Sequence, residues 1–391
     1  MSLAGLKIKI VGAGIGGLTA ALALRARGAE VTVLEQAEAI TEVGAGLQVS
    51  PNGFVVLRAL GLEDALRARA VQGQAVELRD YKAGRLVSRL DLGLLPADQP
   101  YFFLHRADLI DLLAEAVRAQ GIKIRLLQRV ARIEATDTPV IHLANGAETR
   151  ADLVVGADGL HSKLRPELNG VTAPFFTRQV AWRATVPNTM NHPNVARVHM
   201  GPHRHVVSYP LRGGEIVNIV AVQERMGWAE EGWTHRDDPD NLRKAFGDFG
   251  GDTARLLGAV ENVGVWGLFR HPVARSWHKG HTAILGDAAH PTLPFMAQGA
   301  VMAMEDAWVL ADALDKADNL PEGLAAYQAR RHARASKVVE TANGNAWKYH
   351  LSLPPLRFGA HLGLRVASSL APKKLLQQFD WIYRYDVTAE G

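Results

Sequence analysis

A glycine pattern near the start of the chain limits the possible folds more than any other feature. Gly12-Ala13-Gly14-Ile15-Gly16-Gly17 satisfies G-x-G-x-x-G and follows an apolar run, Lys7-Ile8-Lys9-Ile10-Val11, that reads as a strand. Residues 15–27 are rich in Ala and Leu and read as a helix, and Val31-Thr32-Val33-Leu34 as a second strand. Strand, helix and strand at this spacing predict a βαβ unit with a right-handed crossover. In such a turn the first glycine permits the bend, the second lets the backbone approach a pyrophosphate, and the third lets helix pack on strand. The helix start then offers unpaired N–H groups and a positive dipole end to phosphates. Glu35 closes the second strand, where a carboxylate accepts from an adenosine ribose hydroxyl. A lone match would be weak, but strand before, helix after and acid beyond make this a dinucleotide site. The motif alone does not separate FAD from NAD.

The rest of the chain continues the theme and then departs from it. A helical pattern at 107–120, a short strand at 122–127, and apolar strands at Asp152–Val155 and Thr282–Leu285 extend the α/β unit. From about 175 to 270 the texture alternates as in antiparallel strands: Val180–Ala184, Arg204–Pro210 and Ile216–Gln223. Arg212-Gly213-Gly214-Glu215 turns the last two into a hairpin. After 301 the pattern is helical. The fold class expected is α/β: a Rossmann-type FAD-binding domain with an inserted, mostly antiparallel β-sheet substrate domain and a C-terminal helical segment. The division predicted is 1–72, 102–174 and 271–345 for the first, 73–101 and 175–270 for the second, and 346–391 for the third. Cysteine is absent, which excludes disulfides, thiolate metal sites and cysteine nucleophiles and suits a reducing cytoplasm. Net charge is +4 without a basic tract, so nucleic acid is not an expected partner. No run reaches the roughly 18 apolar residues of a membrane span, so a cytoplasmic protein without stable membrane insertion is expected. No His/Asp/Glu spacing suggests a metal, and no G-x-S-x-G elbow is present.

Two later segments separate FAD from NAD. The first is Asp152-Leu153-Val154-Val155-Gly156-Ala157-Asp158-Gly159, continuing to Arg165. The second is Ala283-Ile284-Leu285-Gly286-Asp287-Ala288-Ala289-His290-Pro291, continuing through Gln298-Gly299-Ala300. Each places a carboxylate just past a strand's C-terminal end, where ligands of open α/β sheets collect. Asp287 could hold ribityl hydroxyls, and the helix after Gly299 would aim its N–H groups at a flavin ring.

In order and spacing, the three segments resemble those of the group A flavoprotein monooxygenases, the single-component aromatic hydroxylases. Similarity runs from residue 6 to about 345. It is strongest to the branch holding salicylate hydroxylase, 3-hydroxybenzoate 6-hydroxylase and 6-hydroxynicotinate 3-monooxygenase. The resemblance implies FAD bound by Gly12, Gly14, Gly17 and Glu35, with contacts from Arg106, Val130, Gly286, Asp287, Gly299 and Ala300. It associates Asp158 with both FAD and reduced nicotinamide. No second G-x-G-x-x-G follows a strand, since Gly213-Gly214 and Gly250-Gly251 are expected to lack a following helix and acid. NAD(P)H is therefore expected as a transient co-substrate, with O2.

Such an enzyme hydroxylates a small phenolic or aromatic carboxylic acid through a flavin C4a-hydroperoxide. An electrophilic oxygen needs an electron-rich ring, so the site needs a base at the substrate hydroxyl and shielding from water. His205 and Tyr209 fall on one face of a strand, their separation of four being even. Their place before the Arg212 turn is similar to the branch's substrate histidine and tyrosine. His205 is expected as the base, Tyr209 as an orienting donor, and Gln298 as a third substrate contact. His290 is expected to fix the loop beneath the flavin, His161 and His332 to lie on the surface, and Arg183 to form a sheet salt bridge or meet a substrate or nicotinamide phosphate. The stripe of leucines at 355–385, with Arg365, Lys373 and Lys374, is expected to pack on its own domain or a twin subunit, with peripheral membrane contact the minority option. Two other functions fit the same motifs: a monooxygenase of larger polycyclic or alicyclic metabolites, and a non-catalytic flavin-binding protein.

Overall fold

Ile8, Ile10 and Val11 bury their side chains on both faces of the strand Lys7–Val11, as a strand covered on both sides requires. This strand lies near the middle of a six-stranded sheet. The spatial order is His278–Lys279, Thr282–Ile284, Leu153–Gly156, Lys7–Val11, Glu30–Leu34, Lys123–Arg125. All pairings are parallel except that of the two-residue edge strand His278–Lys279. The structure, a computed structural model, describes residues 2–40, 45–225 and 236–389, and of residues 345–347 the backbone alone. The helix Ile15–Arg25 packs between the helices Arg106–Ala119 and Gly299–Lys316, which closes the largest apolar core over the sheet.

A second sheet has eight strands in the order Arg236–Asp237, Val263–Arg270, Phe175–Pro187, Ile216–Glu224, Arg204–Leu211, Val195–Gly201, Ala75–Asp80, Leu86–Asp91. It is antiparallel apart from the pairing of Val195–Gly201 with Ala75–Asp80. One face, with Val180, Trp182, Val206 and Ile219, packs on Leu242, Phe246 and Leu256 of the helices Pro239–Ala245 and Gly251–Gly258. The opposite face carries His205, Val207 and Tyr209. It meets Leu293, Phe295 and Met296 from the segment just before the helix Gly299–Lys316.

One expectation is corrected here. Gly250-Gly251 does open a helix, Gly251–Gly258, with Asp252 in its first turn. The element directly before it is the helix Pro239–Ala245 rather than a strand, however, and a Cβ on Gly250 would meet the Lys82 carbonyl oxygen at 2.0 Å. These glycines serve close packing rather than a second nucleotide turn. The C-terminal part is helical over Leu320–Tyr349, Pro354–Leu370, Pro372–Gln377 and Asp380–Tyr383.

Candidate active site

Every carboxylate singled out from the first sheet lies at its C-terminal edge. Glu35 follows the strand Glu30–Leu34, Asp158 follows Leu153–Gly156 and Asp287 follows Thr282–Ile284. Parallel strands end together, so three distant pieces of sequence meet along one line. The glycine turn is built as its spacing requires. Gly12 has φ +103°, and a Cβ on Gly17 would meet the Gly12 carbonyl oxygen at 2.0 Å, whereas a Cβ on Gly14 meets nothing within 4 Å. Gly14 begins the helix Ile15–Arg25 without a side-chain cap, so the N–H groups there stay open to an anion. Glu35 accepts from the Ala13 N–H at 2.8 Å and the Ala37 N–H at 2.9 Å. The Gln128 N–H donates to the Glu35 carbonyl at 2.7 Å, which brings the segment leading into Val130 beside the same turn.

The far end of the line has matching features. Asp158 Oδ2 accepts from the Lys163 N–H at 2.6 Å while Oδ1 is buried with no hydrogen-bond partner. Burial pushes its carboxyl above the usual range despite the hydrogen bonds it receives. Desolvation by the surrounding protein also pushes the Asp287 carboxyl up, against the pull of His290 and Arg106. Its side chain still meets solvent, so that pressure reaches full strength only when a ligand covers it. Burial favours loss of the Arg106 proton and Asp287 opposes it, which places the two groups within electrostatic reach. The helix Gly299–Lys316 starts without a side-chain cap, as the first helix does. Open helix starts at both ends, the uncrowded Gly14 and an unpartnered buried acceptor fit a long phosphate-bearing cofactor with a polar chain between its ends.

Beneath this line runs a buried network that the sequence reading did not find. Arg331, fully buried, pairs with Glu305 at 2.7 Å and Asp306 at 2.7 Å. Asp306 accepts from the Gly286 N–H at 3.0 Å and from His290. Burial alone would raise the Asp306 carboxyl, but His290 and Arg331 outweigh it and hold it down to about 2. His290 thus holds the loop through Asp306. Gln298 belongs to this interior rather than to a substrate contact: its Oε1 accepts from Asn52 at 3.0 Å and its Nε2 donates to Ser50 at 2.9 Å. At 2 % exposure its amide is engaged at both ends, so the expected substrate contact is replaced by an anchor for the helix start. Arg331 and Asn52 carry no motif, and only a buried charge at helical spacing could have hinted at the former.

On the second sheet, His205 and Tyr209 do share a face, together with Arg183 and Asn218 across the register. Tyr209 packs on Phe103 and against Gly46, where a Cβ would meet its ring at 2.6 Å. Burial pushes its hydroxyl pKa upward, so it stays protonated. Arg183 lies over the Trp266 ring at 4.4 Å, and burial lowers it to about 10, a guanidinium still charged at neutral pH. His205 is buried among Phe295, Tyr349 and His350. Its Nδ1 lies 2.7 Å from His350 Nε2, His350 Nδ1 lies 2.8 Å from Glu224 Oε1, and Glu224 Oε2 lies 2.7 Å from His203 Nδ1. The first pair is buried, while Glu224 and His203 are exposed, so the line runs from the sheet's inner face to solvent. Burial lowers the pKa of both His205 and His350. His350 and Glu224 lie 126 residues apart, and nothing in the sequence joins them. His161 is exposed as expected, but His332 is half-buried against Trp277 and reaches the Ala274 carbonyl.

Comparison with known proteins agrees with this geometry. The family described as FAD binding domain matches residues 6–342. A 3-amino-4-hydroxybenzoate 2-monooxygenase of Streptomyces platensis is 34% identical, over 98% of this chain and 97% of its own length. A 3-hydroxybenzoate 6-hydroxylase of Polaromonas naphthalenivorans (strain CJ2) is 33% identical, over 98% and 97%. Among solved structures, Klebsiella pneumoniae HpxO complexed with FAD and uric acid is similar with a TM-score of 0.84 at 25% identity, covering 95% of each chain.

Proposed function

The chain belongs to the FAD binding domain family, as a flavin-dependent monooxygenase of the single-component aromatic hydroxylase group, and we propose that it hydroxylates a small aromatic acid carrying a phenolic hydroxyl. NAD(P)H and O2 are the co-substrates, and the cysteine-free chain suits a reducing cytoplasm. We assign the division into nucleotide domain, inserted sheet and C-terminal helices at the boundaries given above. The observation that carries the substrate class is the hydrogen-bonded line His205–His350–Glu224.

Its direction follows from chemistry. Burial would raise the Glu224 carboxyl, but hydrogen bonds from His203 and His350 outweigh this and keep it ionised. An ionised carboxylate only accepts, so His350 Nδ1 donates. Neutral His350 then accepts at Nε2, His205 Nδ1 donates to it, and His205 Nε2 keeps a lone pair for a substrate. A phenolic proton passes to His205 Nε2, the Nδ1 proton passes to His350 Nε2, and the His350 Nδ1 proton passes to Glu224 at the solvent edge. No buried imidazolium has to persist, which the low pKa of His205 would oppose.

Bound FAD would store the reducing equivalents and activate oxygen. Gly12, Gly14, Gly17, Glu35 and Val130 would hold its adenosine and pyrophosphate end. Arg106, Asp158, Gly286, Asp287, Gly299 and Ala300 would hold the ribityl and ring end. Tyr209 orients the substrate as a hydrogen-bond donor, Arg183 receives its carboxylate, and Gln298 positions the helix start. The test is NAD(P)H consumption in air with salicylate, 3- and 4-hydroxybenzoate, 3-amino-4-hydroxybenzoate and 6-hydroxynicotinate, with product identification. Oxidation that none of these acids stimulates would overturn the substrate class.

A further inference from the structure

The helix Pro354–Leu370 is built inside out. Apart from Leu364, which packs on Val87, Val198 and Met200, its inward side is largely polar: His361 is buried within electrostatic reach of Asp80, Arg357 lies over the Tyr81 ring at 5.1 Å, and Ser368 Oγ accepts from the Arg89 N–H at 3.0 Å. Most of its large apolar residues face outward. Leu356, Phe358, Leu362, Val366 and Leu370, with Leu353 just ahead of the helix, are between 49% and 80% exposed. A surface helix ordinarily turns its apolar stripe to the core. A contiguous exposed stripe of this kind marks an interaction surface. It also departs in large part from the expectation that these leucines pack on the parent domain: on this helix Leu364 does so, and the following helices do so through Leu376 and Ile382.

Charge identifies the occupant. Residues 341–379 contain five basic side chains (Lys348, Arg357, Arg365, Lys373 and Lys374) and no Asp or Glu. The whole chain has 44 Lys and Arg against 40 Asp and Glu, so the other residues hold 39 against 40. The entire positive surplus sits in this segment. Arg365 is exposed on the helix itself, and Lys373 and Lys374 are exposed on the next one, Pro372–Gln377. A second copy seated here would bring like charges together, whereas an anionic bilayer satisfies stripe and basic side chains at once.

We propose that the helix Pro354–Leu370 lies flat on an anionic membrane, with its apolar side chains at the acyl boundary and these basic side chains among the headgroups. Among the described residues no helix is long and apolar enough to cross a membrane, so the attachment is peripheral. It does not depend on the proposed substrate.

The test is sedimentation of the FAD-loaded full chain with phosphatidylcholine vesicles, with and without one part in three of phosphatidylglycerol, alongside sedimentation velocity without lipid. Three basic groups at an anionic surface give roughly a hundredfold preference for the mixed vesicles, weakened by salt. Lys373→Glu with Lys374→Glu should remove most of that preference. Phe358→Glu with Leu362→Glu should lower partitioning at least tenfold, with unchanged NAD(P)H oxidation. Equal partitioning to both lipids, no partitioning, or partitioning indifferent to Phe358→Glu and Leu362→Glu would overturn the proposal. A dimer in solution that those two substitutions dissolve would also overturn it, by assigning the face to a second copy.

Discussion

Glu224→Gln isolates the proton line from everything else in the site. Glu224 lies at the solvent edge, so the change leaves no cavity and folding should lose no more than about 1–1.5 kcal/mol, the weakening of its bond to His350. Two losses follow inside the line. The hydrogen bond to His350 falls from a charge-assisted one, worth about 1.5–3 kcal/mol, to a neutral one of about 0.5–1.5 kcal/mol. That difference of about 1–1.5 kcal/mol is near tenfold in rate. The glutamine amide can also donate to His350 Nδ1, which reverses every bond in the line and leaves a proton on His205 Nε2 where the lone pair is needed. Together they predict a fall in kcat of roughly 10–100-fold, within the range of a lost general base, with little change in KM. The pH profile distinguishes this from a structural effect. Because the folded-state pKa of Glu224 is depressed, its contribution is present through neutral pH and lost only on acidification below the usual carboxylate range. In the variant, hydroxide must ionise the phenol, so the deficit should shrink as pH approaches the phenol pKa near ~10. Steady-state oxidation, with the absorbance of bound phenolate, measures both. A variant within twofold of the parent with an unchanged profile would refute the line.

Gly14→Ala places its methyl in open space, so the apoprotein should melt normally while FAD affinity falls tenfold or more; Gly17→Ala, which meets the Gly12 carbonyl, should not fold. Calorimetry with and without FAD separates the two. Arg331→Met takes the shared guanidinium from two fully buried carboxylates and should cost about 3–5 kcal/mol, read by denaturant unfolding of the apoprotein. Asp306, held near 2 against 3.8 when free, should contribute on the order of 2 kcal/mol above about pH 4 and lose it as pH falls toward 2, a dependence Asp306→Asn abolishes. Arg183→Gln should raise KM for aromatic acids and leave it unchanged for the corresponding phenols, as steady-state kinetics will report.

What could be read from sequence was what local chemistry dictates. The glycine turn, Glu35, Asp158 and Asp287 are fixed by strand ends and backbone approach, so their neighbours in sequence already imply their geometry. The same-face placement of His205 and Tyr209 followed from strand periodicity alone. What stayed illegible depends on which distant side chains a fold brings together. Gln298 lies at the start of the cofactor-facing helix, as its position suggests, yet its amide turns to Ser50 and Asn52, about 250 residues upstream. His350 belongs to a stretch without any motif and gains meaning only from contacts with His205 and Glu224. The outward stripe of the helix Pro354–Leu370 was visible as a pattern, but periodicity does not say which side of a helix meets the protein.

The long helix Leu320–Tyr349 connects these separate features into one device. Near its middle, Arg331 and Arg334 grip Glu305 and Asp306, and through Asp306 the loop at Gly286 that precedes Asp287. At its end it delivers Tyr349 and His350 to His205. The rise of a helix separates these two places by roughly 29 Å, so one helix spans from the loop at Gly286 to the proposed base, His205. Buried ion pairs are poor sources of net stability, because desolvating the charges offsets most of their attraction. Their value here is geometric. A carboxylate that must meet a guanidinium at 2.7 Å admits one rotation and one translation of the helix, whereas apolar packing would tolerate several. A proton line of two successive bonds of 2.7 and 2.8 Å is sensitive to such slack, so on the function proposed above the charged interior at Arg331 holds the register that a base at His205 needs.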